Sequence, residues 1–449
     1  MDVTAKIAQF VVGVEYEAIP PKALDNAKAA VLDCLGVALA GSREECARIC
    51  AEIARREDTK EETTVLGQGF KSSALEAAFA NGVAAHALDF DHSFTIMGQP
   101  TAPIIPAIFS LGESLGAGGR EILAAYAAGF ETTAKLVFAL RDSTQDGWHA
   151  PGTLGALGAA AASAKLLRLD SSQVEMALGI TASLAGGVVC NFGTMTKPLH
   201  VGSAARNGVL AAKLAQSGYT ANARGVEAAN GFCETFYRIT PSEAPIAELG
   251  ETYALVTDGI WIKPYPCGGL THQAIDAALD LRSKHDLAAE RVDSIDVDVT
   301  QHTYNRIAFR VPQNGIQGKF CMGYLLARAL IDGKVSLDAF TDEAVRDRAV
   351  LTLAEKINMR LDRGLKASNE GGRPCRVTVR LKNGATYSRE VEHAKGSPEV
   401  PMTVDERRAK FTECARRVLD ESSTRRVLEN IENLETVEDI RPLCRLLMG

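Results

Sequence analysis

Apolar residues recur at three- and four-residue steps through most of the first 260 positions, which predicts helix after helix. Pro20 and Pro21 open a segment in which Leu24, Ala27, Val31, Cys34 and Ala38 share one face, and Gly41 supplies a stop. Segments 74–88, 120–140, 153–168, 173–190 and 202–217 carry the same period with Ala and Gly in quantity, and side chains this small predict a dense bundle. After about residue 260 the period changes. Val292, Ile295, Val297 and Val299 mostly alternate with polar neighbours, as a half-buried strand requires. Val377, Val379 and Leu381 are followed by Asn383-Gly384 and then Tyr387, Arg389 and Val391, a hairpin pattern. Helical stretches at 319–332 and 342–354 lie between these strands. Helix returns where Thr403 and Glu406 have capping-box spacing ahead of Phe411, Cys414 and Val418. The expected architecture is mainly α with an α+β second domain: residues 1–265 together with 398–449 form a large all-helical bundle, and 266–397 an inserted α+β domain.

Composition narrows the function classes. With 46% hydrophobic and 23% charged residues the chain is of globular type. A formal net charge of -7 argues against nucleic acid as the main partner, because phosphate binding needs a basic surface. An acid substrate stays possible where Lys and His cluster locally. The ten cysteines form no CxxC pair, a pattern that fits reduced thiols in a cytoplasmic compartment and offers no iron–sulfur ligand set. The first residues, with Asp2 and Glu15 and no long apolar core, do not read as a signal peptide. No uncharged apolar run reaches about 18 residues, so we expect no membrane span.

Candidate chemistry falls in five polar clusters that interrupt apolar segments. HALDFDHSFTIMGQPTAP (86–103) places Asp89, Asp91, His86, His92 and Ser93 at a helix end; its plainer reading is a run of caps, and a metal reading lacks a second ligand set. DGWHAPGTLGALG puts His149 just before a Gly/Ala helix, where free backbone N–H groups favour an anion. GTMTKPLHVGSAA places Lys197 in a loop before another Ala-rich helix, with His200 nearby; a cation there is unfavourable unless an anion accompanies it. IKPYPCGGLTHQAIDAALD carries Lys263 and His272 on a rigid turn into a helix. GKFCMGYLLARAL puts Lys319 and Tyr324 on one helix, although Tyr324 alone reads more readily as a core residue with a satisfied hydroxyl. His285, His302 and His393 lack convergent partners and read as surface residues.

Taken in order, ALDFD, GWH, GTxxKPLHxG, KPYPCGGLTHQAIDA, GKFCMGYLLA and the late EVPMTVDERRAKF resemble the MmgE/PrpD family, which includes 2-methylcitrate dehydratase, cis-aconitate decarboxylase and iminodisuccinate epimerase. The resemblance spans nearly the whole chain. It implies a large helical domain, a smaller α+β lid, a site between them and a homodimer. Carried over by position, the family's site falls on Asp89, Ser93, His149, Lys197, His272 and Tyr324. Ser93 stands where threonine is common. Gln99-Pro100-Thr101 stands where many members read His-Pro-Ser; glutamine hydrogen-bonds a carboxylate but exchanges no proton near neutral pH.

The expected function is that of a cofactor-independent lyase, a dehydratase or decarboxylase acting on a small di- or tricarboxylate by proton abstraction next to a carboxylate. His149 and His272 are the expected acid and base, Lys197 and Lys263 hold carboxylates, Tyr324 donates a proton, and Asp89 orients a neighbour. Ser93, Gln99 and Lys319 complete substrate binding. Neither metal nor cofactor is expected. An epimerase or isomerase of a polycarboxylate is the alternative, favoured by Gln99, since epimerisation has no leaving hydroxyl to protonate. A non-catalytic helical scaffold is a third reading, and a polar set this large kept in a cleft argues against it.

Overall fold

The computed structural model describes residues 2–57, 59–94, 98–143, 147–307, 309–366 and 372–449. The chain divides into two compact units, residues 1–260 with 403–449, and residues 261–402. In the first unit, α1 (Val3–Gly13), α2 (Pro21–Gly41) and α3 (Glu45–Arg56) precede a short antiparallel pair, β1 (Thr63–Val65) and β2 (Phe70–Ser72). Then follow α4 (Ala74–His86), α5 (Thr101–Leu115), α6 (Gly119–Ala139), α7 (Ala150–Leu166), α8 (Ser171–Leu184) and α9 (Thr196–Gln216). Two short helices, α10 (Glu243–Ala247) and α11 (Ala254–Thr257), end the first pass.

Small residues set how closely these helices cross. A Cβ on Gly208 of α9 would lie 2.6 Å from the Ala159 Cβ and 2.7 Å from backbone atoms of α7. A Cβ on Gly82 of α4 would lie 2.8 Å from the Gly202 Cα of α9, and one on Gly129 of α6 would lie 2.6 Å from the Gly158 oxygen of α7. Backbones therefore touch where ordinary side chains would hold them apart. Helix α6 is long and apolar enough to cross a membrane by composition, although it carries Arg120, Glu121, Glu131 and Lys135; 94% of its apolar window is buried inside the protein. It is the core helix of this unit.

The second unit contains α12 (His272–Lys284), β3 (Val292–Val299), α13 (Gln301–Arg306), α14 (Gly315–Gly318), α15 (Met322–Asp332), α16 (Arg348–Ala354), β4 (Ile357–Leu361), β5 (Cys375–Leu381) and β6 (Thr386–Val391). The strands run in the order β4-β3-β5-β6, with β3 parallel to β4 and antiparallel to β5. Ile295, Val297 and Val299 enter the core with residues of α12 and α15. Asp296 and Asp298 alternate with them and pair with Arg360 at 2.9 and 2.7 Å, so β3 is covered on both faces. A register shift between Val292 and Ser294 explains why its alternation begins imperfectly. The Asn383-Gly384 turn closes β5 onto β6, with Gly384 at φ +85.

The C-terminal helices α17 (Val404–Ala415), α18 (Glu421–Glu432) and α19 (Arg441–Leu446) belong to the first unit. Thr403 and Glu406 cap α17 reciprocally, and Phe411 packs onto Gly36 of α2, where a Cβ would lie 2.9 Å from its ring. Val418 lies beyond the end of α17. All ten cysteines are free, eight of them buried.

Two sequence expectations are corrected. Lys319 and Tyr324 do not share a helix: Lys319 is the C-cap of α14, and Cys321, in extended conformation, caps α15 separately. Lys197 lies inside the first turn of α9 rather than in the preceding loop. We predict that Gly208→Val, which forces α9 away from α7, destabilises the protein by about 1–3 kcal/mol or more, read as a lower urea midpoint.

Candidate active site

Three helix ends converge in the first unit. His86 is the last residue of α4, His149 is the N-cap of α7, and Lys197 and His200 lie in the first turns of α9. The close crossings of α4, α7 and α9 bring their ends together. A short β-like tie fixes His149: its N–H donates to the Gly187 oxygen at 2.9 Å, and Trp148 bridges Val188. Gly187, at φ +122, provides the turn that an ordinary residue would resist.

Lys197 and Asp89 form an ion pair at 2.9 Å, with side chains 14% and 11% exposed. The anion that a lysine at a helix N-terminus calls for is therefore supplied by the chain itself. Asp89 adopts φ +54, a left-handed conformation that aspartate tolerates better than most residues. The Lys197 ammonium also lies 5.6 Å from the Phe192 ring centroid, and Phe192 meets the His149 ring edge-on at 4.9 Å. Ser93 is buried, and Gln99 donates to its hydroxyl at 3.3 Å.

The histidines form a buried group. Nδ1 of His149 and Nδ1 of His200 lie 3.2 Å apart, so one ring donates and the other must be deprotonated at that nitrogen. Burial pushes the His149 pKa far down from its ordinary value, reinforced by His86, Lys197 and His200 and opposed by Asp89. His200 is lowered by burial, His86 and Lys197. Both rings are neutral at pH 7. The His86 ring stands 5.3 Å from that of His149, and its Nδ1 lies 2.9 Å from Asp91 Oδ2. Because a carboxylate only accepts, Nδ1 carries the proton in that bond, and in the neutral ring the lone pair is then on Nε2. That Nε2 is buried without a hydrogen-bond partner among the described residues.

Sequence reasoning noted His86 and His200 but left them out of its site. Their signals are His200 three positions after Lys197, hence on the same helical face, and a carboxylate five positions after His86.

The second unit holds its own set. His272 opens α12, wholly buried, with Nε2 3.3 Å from the Cys267 carbonyl, and its ring meets Trp261 and Tyr265 edge-on at 5.3 and 5.1 Å. Lys263 is buried on the same turn. The Gly268 N–H donates to the Lys319 oxygen at 3.0 Å, joining the fourth and fifth sequence clusters, and the Lys319 ammonium sits 5.7 Å from the Phe340 ring. Tyr324 is fully buried; its hydroxyl donates to the Ala339 carbonyl and accepts from Arg328 Nε at 3.0 Å. That environment fits a core tyrosine with a satisfied hydroxyl. Among the described residues, no three His, Cys, Asp or Glu side chains are grouped to hold a metal ion.

The MmgE/PrpD N-terminal domain matches residues 5–243, and the MmgE/PrpD C-terminal domain matches residues 265–436. The chain belongs to the MmgE/PrpD family. Its relatives include the cis-aconitate decarboxylases of Mus musculus, 27% identical with 100% of this chain and 93% of that protein covered, and of Homo sapiens, 28% identical with 100% and 95% covered. That of Aspergillus terreus is 27% identical, with 99% and 96% covered. The second family match runs past the α+β unit into α17 and α18.

The neutral histidines impose a pH dependence. Their folded pKa values lie below the unfolded value near 6.5, so above that pH neither state is charged. As pH falls through about 6.5 the unfolded chain takes protons that the folded site refuses, and stability drops. We predict that unfolding free energy falls by about 1 kcal/mol for each pH unit below 6.5 through His149 alone, with His200 adding in the same direction. In His149→Gln the difference between urea midpoints at pH 7.5 and 5.5 should shrink.

Proposed function

We propose that this MmgE/PrpD protein is a lyase acting on a small di- or tricarboxylate, of the carboxy-lyase type that its relatives' names describe, through proton transfer beside a carboxylate. The observation that carries this reading is the adjacency of a neutral imidazole, His149, to the Lys197–Asp89 pair at two helix N-termini. Removing a proton next to a carboxylate builds negative charge on its oxygens. Lys197 and the positive dipole ends of α7 and α9 favour such charge in a buried site. A base must be unprotonated to act, and burial keeps His149 so. His86, with Nδ1 committed to Asp91, stands beside His149 as a second imidazole.

Gln99 favours decarboxylation over dehydration. Its amide contacts Ser93 and cannot protonate a departing hydroxyl, whereas loss of carbon dioxide leaves only an electron pair on carbon to be protonated. The same observation supports a second reading, epimerisation, in which the proton returns to the opposite face and nothing leaves.

The deciding experiment incubates the protein in deuterated water with aconitate-, citrate-, 2-methylcitrate- and aspartate-derived acids and follows carbon and proton signals by NMR. A decarboxylated alkene and carbon dioxide are expected; deuterium at carbon without loss of any group would establish an isomerase instead. No reaction with any of these acids would overturn both readings. For the acid that turns over, His149→Gln is expected to lower kcat about a hundredfold or more. The acid limb of the wild-type rate profile should show no inflection from His149 near pH 6.5, because that ring titrates lower.

A further inference from the structure

Lys410 lies on α17, 320 residues beyond the loop that follows α4, yet its ammonium donates to the Phe90 carbonyl at 2.9 Å. It also pairs with Asp33 of α2 at 2.5 Å and stands 3.9 Å from the Phe90 ring centroid. Asp33 Oδ2 in turn accepts the His92 backbone N–H at 3.0 Å. Lys410 and Asp33 are 7% and 6% exposed, so the pair is buried, and bulk water does little to screen it.

The Phe90 carbonyl belongs to the peptide plane before Asp91, and the His92 N–H to the plane after it. One ion pair therefore holds both planes that flank a single residue. With both fixed, φ and ψ of Asp91 are set, and with them the direction of its Cα–Cβ bond. That direction brings Oδ2 to 2.9 Å from His86 Nδ1, which selects, for the neutral ring, the form with the proton on Nδ1 and the lone pair on Nε2. The Nε2 atom is the one left without a hydrogen-bond partner among the described residues.

We propose that Lys410 and Asp33 are positioning residues: their buried pair fixes Asp91, and through it the tautomer of His86, for proton transfer in the helical site. The catalytic half of this statement rests on the lyase reading above; the tautomer half does not. Neither residue touches the reacting atoms, and both act through the backbone on either side of Asp91.

The test uses the full chain labelled with nitrogen-15 histidine, with the His86 ring signals assigned by their loss in His86→Gln. Wild type is expected to show His86 as the Nδ1–H form. Asp33→Leu/Lys410→Met removes both charges together, which avoids leaving one buried ion alone. In this variant the His86 signals should move toward the Nε2–H form or average between the two, as they should in Asp91→Asn. With an acid found to turn over, kcat should fall at least tenfold while KM changes less than about threefold.

A folded double variant that keeps the wild-type His86 signals overturns the proposal, and so does a changed tautomer with unchanged kcat. Should the double variant not fold, Lys410→Gln, which removes the charge but keeps a donor, is judged by the same two readouts. If no acid turns over, the lyase reading falls, while the tautomer measurement still decides whether Lys410 and Asp33 position His86.

Discussion

Backbone contact between helices is the constraint on which the helical unit depends. Glycines at 82, 129, 158, 202 and 208 leave no room for a side chain where α4, α6, α7 and α9 cross. The crossings are stiff because main-chain atoms, not only side-chain ends, are among those that would have to move at each of these glycines. A stiff crossing fixes helix ends as well as helix axes. His86, His149, Lys197 and His200 are all within the first two turns or the last turn of a helix pinned in this way, or cap it.

Such convergence has an electrostatic cost and a chemical use. Two helix N-termini and a lysine create a positive region, and burial within it lowers the pKa of His149 and His200. The chain answers with two carboxylates from one loop: Asp89 neutralises Lys197, and Asp91 accepts a hydrogen bond from His86 Nδ1. The result is a site that holds bases in their unprotonated form while keeping a cation next to them. In water these requirements oppose one another, because an exposed histidine has no environment to lower its pKa and a solvated lysine attracts an anion only weakly.

Much of this organisation was legible in the chain. The 3.6-residue period marked the long helices because each buries one face against neighbours, and the Ala and Gly content foretold their closeness. Asn383-Gly384 marked the hairpin because only a turn with positive φ joins those strands tightly. Strand β4 and its parallel pairing with β3 carried no such mark, since parallel partners need no adjoining turn and Ile357–Leu361 is only five residues long. Lys319 was misassigned because an apolar run masked the break at Cys321. Among site residues, Asp89, His149 and Lys197 stood out because each sits beside a helix start or stop. His86 and His200 did not, because a histidine at an Ala-rich helix end looks the same whether it packs or reacts. Asp33 and Lys410 were invisible for a deeper reason: a pair separated by most of the chain leaves no local pattern.

That last pair bears on how the molecule comes into being. Every side chain of the histidine group lies within the first 200 residues, and α17 emerges only after the whole α+β unit has been made. During synthesis the Phe90 carbonyl therefore waits for its donor until the final tenth of the polypeptide folds back across α2, whereas Asp33, which accepts the His92 N–H, is made early. A product that ends before α17 would carry His86, His149, Lys197 and His200 yet leave Asp33 buried without the ammonium that balances it.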